Sequence, residues 1–144
     1  MKPSSCVLCA SLLLLGPCPA QQGSTPRCHN STVAEFALGL APRAEAFLAT
    51  LVKSVKAGDK ARIAGMVQYP LSVYTGRGHR LIRNGSEFVA AYGQLFTLGV
   101  QKAVLEHVPE CLFANYQGVM IGHGEVWFEE QRDGSMKIKT INVP

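Results

Sequence analysis

A histidine and a glutamate two residues apart are the pair with the clearest chemical potential in this sequence. His123 and Glu125 lie in a segment, residues 119–129, that is predicted to be one strand, and Trp127 follows at the same spacing. Side chains two apart on a strand project from the same face, so the imidazole and the carboxylate would be close enough to share a proton. Such a pair suits general acid and base chemistry, with Trp127 as an aromatic wall.

The orientation of this pair has two interpretations. If the face that bears His123 and Glu125 lines a pocket, the pair is available for catalysis. The opposite face carries Gly122, Gly124 and Phe128, and if the glycines lie beneath packed helices, the pair points outward to solvent or to a second copy of the chain. We favour the outward orientation because charged side chains are seldom buried.

Residues on other strands complete the candidate ligand pocket. Tyr74 ends an earlier predicted strand, and Asn142 lies on the last one, where it would point inward together with Ile138 and Thr140. The candidate ligand-binding residues are therefore Tyr74, His123, Glu125, Trp127 and Asn142.

Other acid, base and metal candidates are weaker. Asp59 directly follows Gly58, which makes it a helix cap rather than a general base. The four histidines fall on different predicted elements, and His107 with Cys111 at helical spacing lacks the further ligands of a closed zinc site. We therefore predict no metal site and no cofactor.

The N-terminus has the three parts of a cleavable secretory signal. A lysine at position 2 precedes an apolar run over residues 6–15, and the small residue Ala20 suits a signal peptidase. The run is far shorter than the roughly 20 residues that span a bilayer as a helix. We expect residues 1–20 to be removed and the protein to be exported, as a periplasmic or secreted chain without a membrane anchor.

Cysteine positions leave two questions open. Cys18 follows the apolar run as in a lipoprotein signal, although Pro17 directly before it does not suit that processing. Removal of the leader would leave Cys28 and Cys111. In an oxidising compartment they form one disulfide, or they stay two separate thiols, because spacing alone does not show proximity.

Composition excludes some classes of partner. The chain has 144 residues, 47% of them hydrophobic and 17% charged, which is typical of one globular domain. A net charge of +4 is too small to indicate nucleic acid, and the basic stretch over residues 77–83 is expected to be the solvated face of a hairpin. We predict no nucleic-acid partner.

Hydrophobic periodicity predicts the order helix, helix, hairpin, helix and three strands after a flexible arm over residues 21–32. Pro42 suits an early position of the first helix, the second carries Ile63, Ala64 and Val67, and Asn84 or Ser86 caps the third. Residues 100–108 are expected to form a short helical turn. The predicted strands are residues 71–74, 79–83, 111–116, 119–129 and 136–143.

Three stretches resemble the nuclear transport factor two-like superfamily, also called cystatin-like: Ala57-Gly58-Asp59, Tyr69-Pro70-Leu71, and residues 118–128 with Ile138 and Ile141. The resemblance covers roughly residues 33–143, within a single domain over residues 33–144. It implies an α+β fold whose curved antiparallel sheet forms a cone around a pocket, with about three helices covering one face. The superfamily contains ketosteroid isomerases, scytalone dehydratase and polyketide cyclases, as well as members that only bind or pair.

Two classes of function follow. The first is a non-catalytic module that binds a small apolar molecule in the cone or pairs through its sheet as a homodimer. The second is a small lyase, isomerase or cyclase that uses His123, Glu125 or Tyr74. No aspartate lies between Asp59 and Asp133, so the acid and base of the resembled isomerases have no counterpart in the central strands. We favour the first class.

Overall fold

The computed structural model describes residues 40–108 and 111–144. The expected signal peptide, the N-terminal arm and Cys28 lie outside these residues. The helices are α1 (Leu40–Lys56), α2 (Lys60–Gly65), α3 (Gly85–Leu95) and α4 (Leu98–Glu106). The strands are β1 (Val67–Thr75), β2 (Gly78–Ile82), β3 (Phe113–Asn115), β4 (Gly118–Ile121), β5 (Val126–Glu130) and β6 (Met136–Val143).

The described residues form an α+β fold with one six-stranded sheet, which confirms the predicted class. The strand order is β2-β1-β6-β5-β4-β3, and the sheet is not closed into a barrel. It is mixed rather than antiparallel, because β1 and β6 run parallel. β3, β4, β5 and β6 are successive antiparallel neighbours. The last strand, β6, also lies beside β1 and runs parallel to it.

Local signals confirm several predicted helix ends. Gly58 has a φ of 64°, which ends α1. Asp59 caps α2, since its carboxylate accepts the backbone N–H of Arg62 at 2.9 Å. Asn84, rather than Ser86, caps α3 by accepting the N–H of Glu87 at 2.9 Å.

Two helix predictions need correction. Residues 98–106 form the nine-residue helix α4 instead of a short turn, and the Thr97 hydroxyl accepts the N–H of Val100 at its start. Val67 begins β1 instead of continuing α2, and it pairs with Ile138. This long-range pairing outweighs the helical spacing that grouped Val67 with Ile63. None of the helices within the described ranges is long and apolar enough to cross a membrane.

The prediction of one continuous strand over residues 119–129 is wrong. The chain reverses over residues 122–125, so β4 and β5 form a hairpin in which Met120 pairs with Trp127 and Val119 with Phe128. Gly122 and Gly124 have φ values of 68° and 114°, which L side chains rarely adopt. Met120 and Trp127 therefore share one face, although a continuous strand would place them on opposite faces.

The core is one cluster of buried side chains drawn from the helices and the sheet. Phe47 of α1 stacks on Phe128 of β5 with ring centroids 4.7 Å apart. Phe88, Tyr92 and Phe96 form a second aromatic group in the same cluster. Burial of these large rings contributes to the stability of the fold.

Strand pairing aligns one residue from each strand on one side of the sheet, which we call the outer face. None of these six residues belongs to the core cluster, and Leu81 is 43% exposed. Across the sheet they are Leu81, Ser72, Thr140, Trp127, Met120 and Phe113.

Candidate functional site

A cavity of about 350 Å³ lies on the outer face. It brings together three of the five predicted ligand-binding residues, and two of its other residues are neighbours on β6. Its lining is Tyr74, Gln117, Trp127, Lys139, Thr140 and Asn142. We refer to it as the outer-face cavity.

Strand register explains how distant residues meet in this cavity. Tyr74 of β1 lies beside Asn142 of β6, and Trp127 of β5 lies beside Thr140 of β6. Asn142 was expected to point inward together with Ile138, but Ile138 is buried in the core and Asn142 is on the outer face. A bulge at Lys139 inserts one extra residue between the two pairs and reverses the alternation.

Asn142 fixes the turn between β4 and β5 to the last strand. Its side-chain amide donates to the carbonyl of Gly124 at 2.5 Å, and its backbone N–H donates to the carbonyl of Glu125 at 2.8 Å. A Cβ added to Gly124 would lie 3.6 Å from Nε1 of Trp127. The indole therefore lies directly beside this anchored turn.

The remaining walls of the cavity are aromatic and polar. Tyr74 is 47% exposed, and its ring packs against His79 with centroids 4.5 Å apart. Lys139 forms an ion pair with Glu129 at 2.6 Å. The cavity thus carries two aromatic rings and a cation whose charge is already balanced.

His123 and Glu125 lie elsewhere, in the turn itself. The Glu125 carboxylate accepts the backbone N–H of His123 at 2.6 Å, so this hydrogen bond joins it to the main chain and not to the imidazole. His123 is exposed. The predicted five-residue set is therefore divided between the outer-face cavity and this turn.

A second cavity, of about 600 Å³, lies between α4 and the turn. We call it the α4 cavity. The titratable residues that line it are Lys102, Glu106, His107, His123 and Glu125, and Cys111 lines it as well. Within residues 40–108 and 111–144, no three His, Cys, Asp or Glu side chains are placed to hold a metal ion. The predicted link between Cys28 and Cys111 stays a prediction, because Cys28 is outside the described residues.

His107 holds the turn between β4 and β5, whereas the sequence suggested it only as a weak candidate for a zinc ligand. Its Nδ1 accepts the backbone N–H of Gly122 at 3.1 Å, which requires a neutral ring with the proton on Nε2. Nε2 is buried and has no hydrogen-bond partner among the described residues. Burial lowers the pKa of His107 from 6.5. Nothing in the local spacing of His107 and Gly122 indicates this contact.

Comparison with known proteins adds no assignment: no protein-family model matches the chain, and no curated protein sequence matches it significantly.

Proposed function

We propose that this chain is an exported, non-catalytic module that binds a small molecule in the outer-face cavity. The observation that carries this proposal is the convergence of Tyr74, Trp127 and Asn142 from three strands on one cavity. A concave site with aromatic walls and a few placed polar groups is typical of ligand recognition. Export rests on the predicted signal over residues 1–20.

The chemistry of the cavity supports binding over catalysis. Its titratable groups are Tyr74 and Lys139, and Lys139 is already paired with Glu129. A general acid and base must lie within hydrogen-bond reach of the reacting atoms. His123 and Glu125 line the α4 cavity instead, so a lyase, isomerase or cyclase would have to act there.

A nuclear transport factor two-like fold is part of this proposal. The order of elements supports it, as does a core that lies between α1 and the sheet, where Phe47 stacks on Phe128. In that fold the sheet would curve into a cone, with helices over one face.

A fragment screen by ¹⁵N NMR on the mature protein tests the binding proposal. We expect the hits to shift the amide resonances of Tyr74, Trp127 and Thr140. We expect Thr140→Val to weaken the binding of these hits. The control Thr50→Val makes the same change on α1, remote from the cavity, and should leave binding unchanged. Hits confined to the residues of the α4 cavity would favour the enzymatic alternative, and a library without hits at either place would contradict binding.

The second part of the proposal is an alternative to ligand binding, a homodimer that pairs through the outer face and so covers the cavity. Leu81 is 43% exposed at one edge of this face, and large exposed apolar side chains are common at interfaces between copies. Light scattering at micromolar concentration should give the mass of a dimer. Leu81→Glu should shift the protein to a monomer, and a monomeric wild type would contradict this part.

A further inference from the structure

The outer-face cavity presents hydrogen-bonding groups that no other part of the described structure uses. Nε1 of Trp127, the hydroxyl of Thr140 and Oδ1 of Asn142 make no hydrogen bond to any residue within 40–108 and 111–144. These three atoms are not buried, because within these ranges the one buried side-chain nitrogen or oxygen without a hydrogen-bond partner is His107 Nε2. The three groups are therefore open to a ligand, and they comprise a donor, an acceptor and a hydroxyl that serves as either.

The charges in the cavity favour a neutral ligand over an ionic one. Lys139 is the only cation in the lining, and its ion pair with Glu129 at 2.6 Å neutralises it. Binding a phosphate or a carboxylate would require Lys139 to leave this partner. A ligand that fits without such a loss is neutral.

The aromatic groups require apolar surface on the same ligand. Tyr74 is held against His79, and Trp127 lies beside Gly124, so both rings are positioned before binding. Ordered rings lose little conformational entropy when a ligand packs on them. The ligand must therefore combine an apolar face with groups that both donate and accept hydrogen bonds.

We infer that the ligand is a saccharide, an inference that rests on the proposed binding function. A pyranose ring has a face of C–H groups that packs on indole and phenol rings, and its hydroxyls donate and accept around the rim. It carries no charge. A cavity of about 350 Å³ is at the low end of ligand pockets, which suits one or two sugar rings.

Trp127 allows a direct test because it is the only tryptophan in the chain. Its emission reports on this cavity alone. We would titrate the mature protein with glucose, cellobiose and di-N-acetylchitobiose, with toluene as an aromatic probe that has no hydroxyls and does not emit in the range of tryptophan. Saturable changes with a sugar support the inference, and tighter binding of a disaccharide than of glucose identifies a sugar chain as the source rather than a free monosaccharide.

Matched variants place the sugar in the cavity. Thr140→Val keeps the shape of the side chain and removes the hydroxyl, so binding should weaken about 2- to 10-fold, the effect of one hydrogen bond. Tyr74→Ala should weaken it by a similar factor through loss of the ring, and Thr50→Val should have no effect. If Thr140→Val does not fold, Tyr74→Ala still tests the site.

The outcomes separate this inference from the function on which it rests. Saturable binding of toluene without any response to the three sugars overturns the saccharide assignment and leaves a binding site for aromatic compounds. Sugar binding that ignores both Thr140→Val and Tyr74→Ala also overturns it, because the sugar then binds elsewhere. Absence of any Trp127 response to all four probes contradicts the saccharide assignment, and the fragment screen then decides the broader function.

Discussion

Protonation of His107 should loosen the turn between β4 and β5. The neutral ring accepts the Gly122 N–H at Nδ1, and an added proton would convert that acceptor into a second donor facing the first. Residues 122–125 would then lose their contact with the end of α4. The other titratable groups that line the α4 cavity with the imidazole are Lys102, Glu106, His123 and Glu125.

The direction of the pH effect follows from the lowered pKa. Burial brings the pKa of His107 in the folded protein below the ordinary value of 6.5, so the unfolded chain binds this proton more readily. The stabilising contribution is therefore complete above about pH 6.5 and is lost as the pH falls through the folded-state pKa. The loss is that of a hydrogen bond whose donor, the Gly122 N–H, is left unsatisfied, about 1–3 kcal/mol once His107 is fully protonated. One proton changes the free energy of unfolding by at most about 1.4 kcal/mol per pH unit, so we expect a decrease of no more than about 2 kcal/mol by about pH 5.

Urea unfolding, followed by Trp127 fluorescence from about pH 7.5 to about pH 5, measures this decrease. His107→Asn keeps an acceptor oxygen in place of Nδ1 but does not titrate in this range, so its stability should vary less with pH than that of the wild type. His123→Asn is the matched control, since it removes an exposed imidazole from the same turn. It should keep the wild-type profile. An equal loss of stability in wild type and His107→Asn would refute the role assigned to His107.

Three further predictions concern packing and backbone conformation. Phe128→Ala should cost about 3–5 kcal/mol in thermal or urea unfolding, because the ring is fully buried and stacks on Phe47. Gly124→Ala should cost about 1–3 kcal/mol at its φ of 114° and should also shift Trp127 emission, since the new methyl lies near the indole. Gly93→Ala should instead stabilise the protein by about 0.5–1 kcal/mol, because Gly93 lies within α3 with open space around it. A destabilised Gly93→Ala, or a Gly124→Ala variant with wild-type stability and emission, would contradict these conformational arguments.

Features that depend on a few neighbouring residues could be predicted from the sequence. The end of α1 at Gly58 and the cap at Asp59 each follow from the chemistry of adjacent residues. The buried stripe of α1, which includes Phe47, Leu48 and Leu51, follows from a helical period of 3.6. In these cases the tertiary structure agrees with the local preference.

Features that depend on pairing between distant strands could not be predicted in this way. Alternation over residues 119–129 does not distinguish one long strand from two strands joined by a glycine turn, because Gly122 and Gly124 fit either pattern. The bulge at Lys139 becomes visible only when β6 is aligned with β5, and it decides whether Asn142 faces the core or the outer-face cavity. One extra residue thus changes the face of every position that follows it.

The same dependence explains why the five predicted residues are divided between two places. Tyr74, Trp127 and Asn142 were selected by residue type, and strand register brings them together. His123 and Glu125 were added on the assumption of a continuous strand, and the turn separates them from the other three. Asn142 connects the two regions, since it faces the cavity while its amide holds the carbonyl of Gly124. A change in the turn should therefore reach the outer-face cavity through Asn142 even though the residues of the turn do not line that cavity.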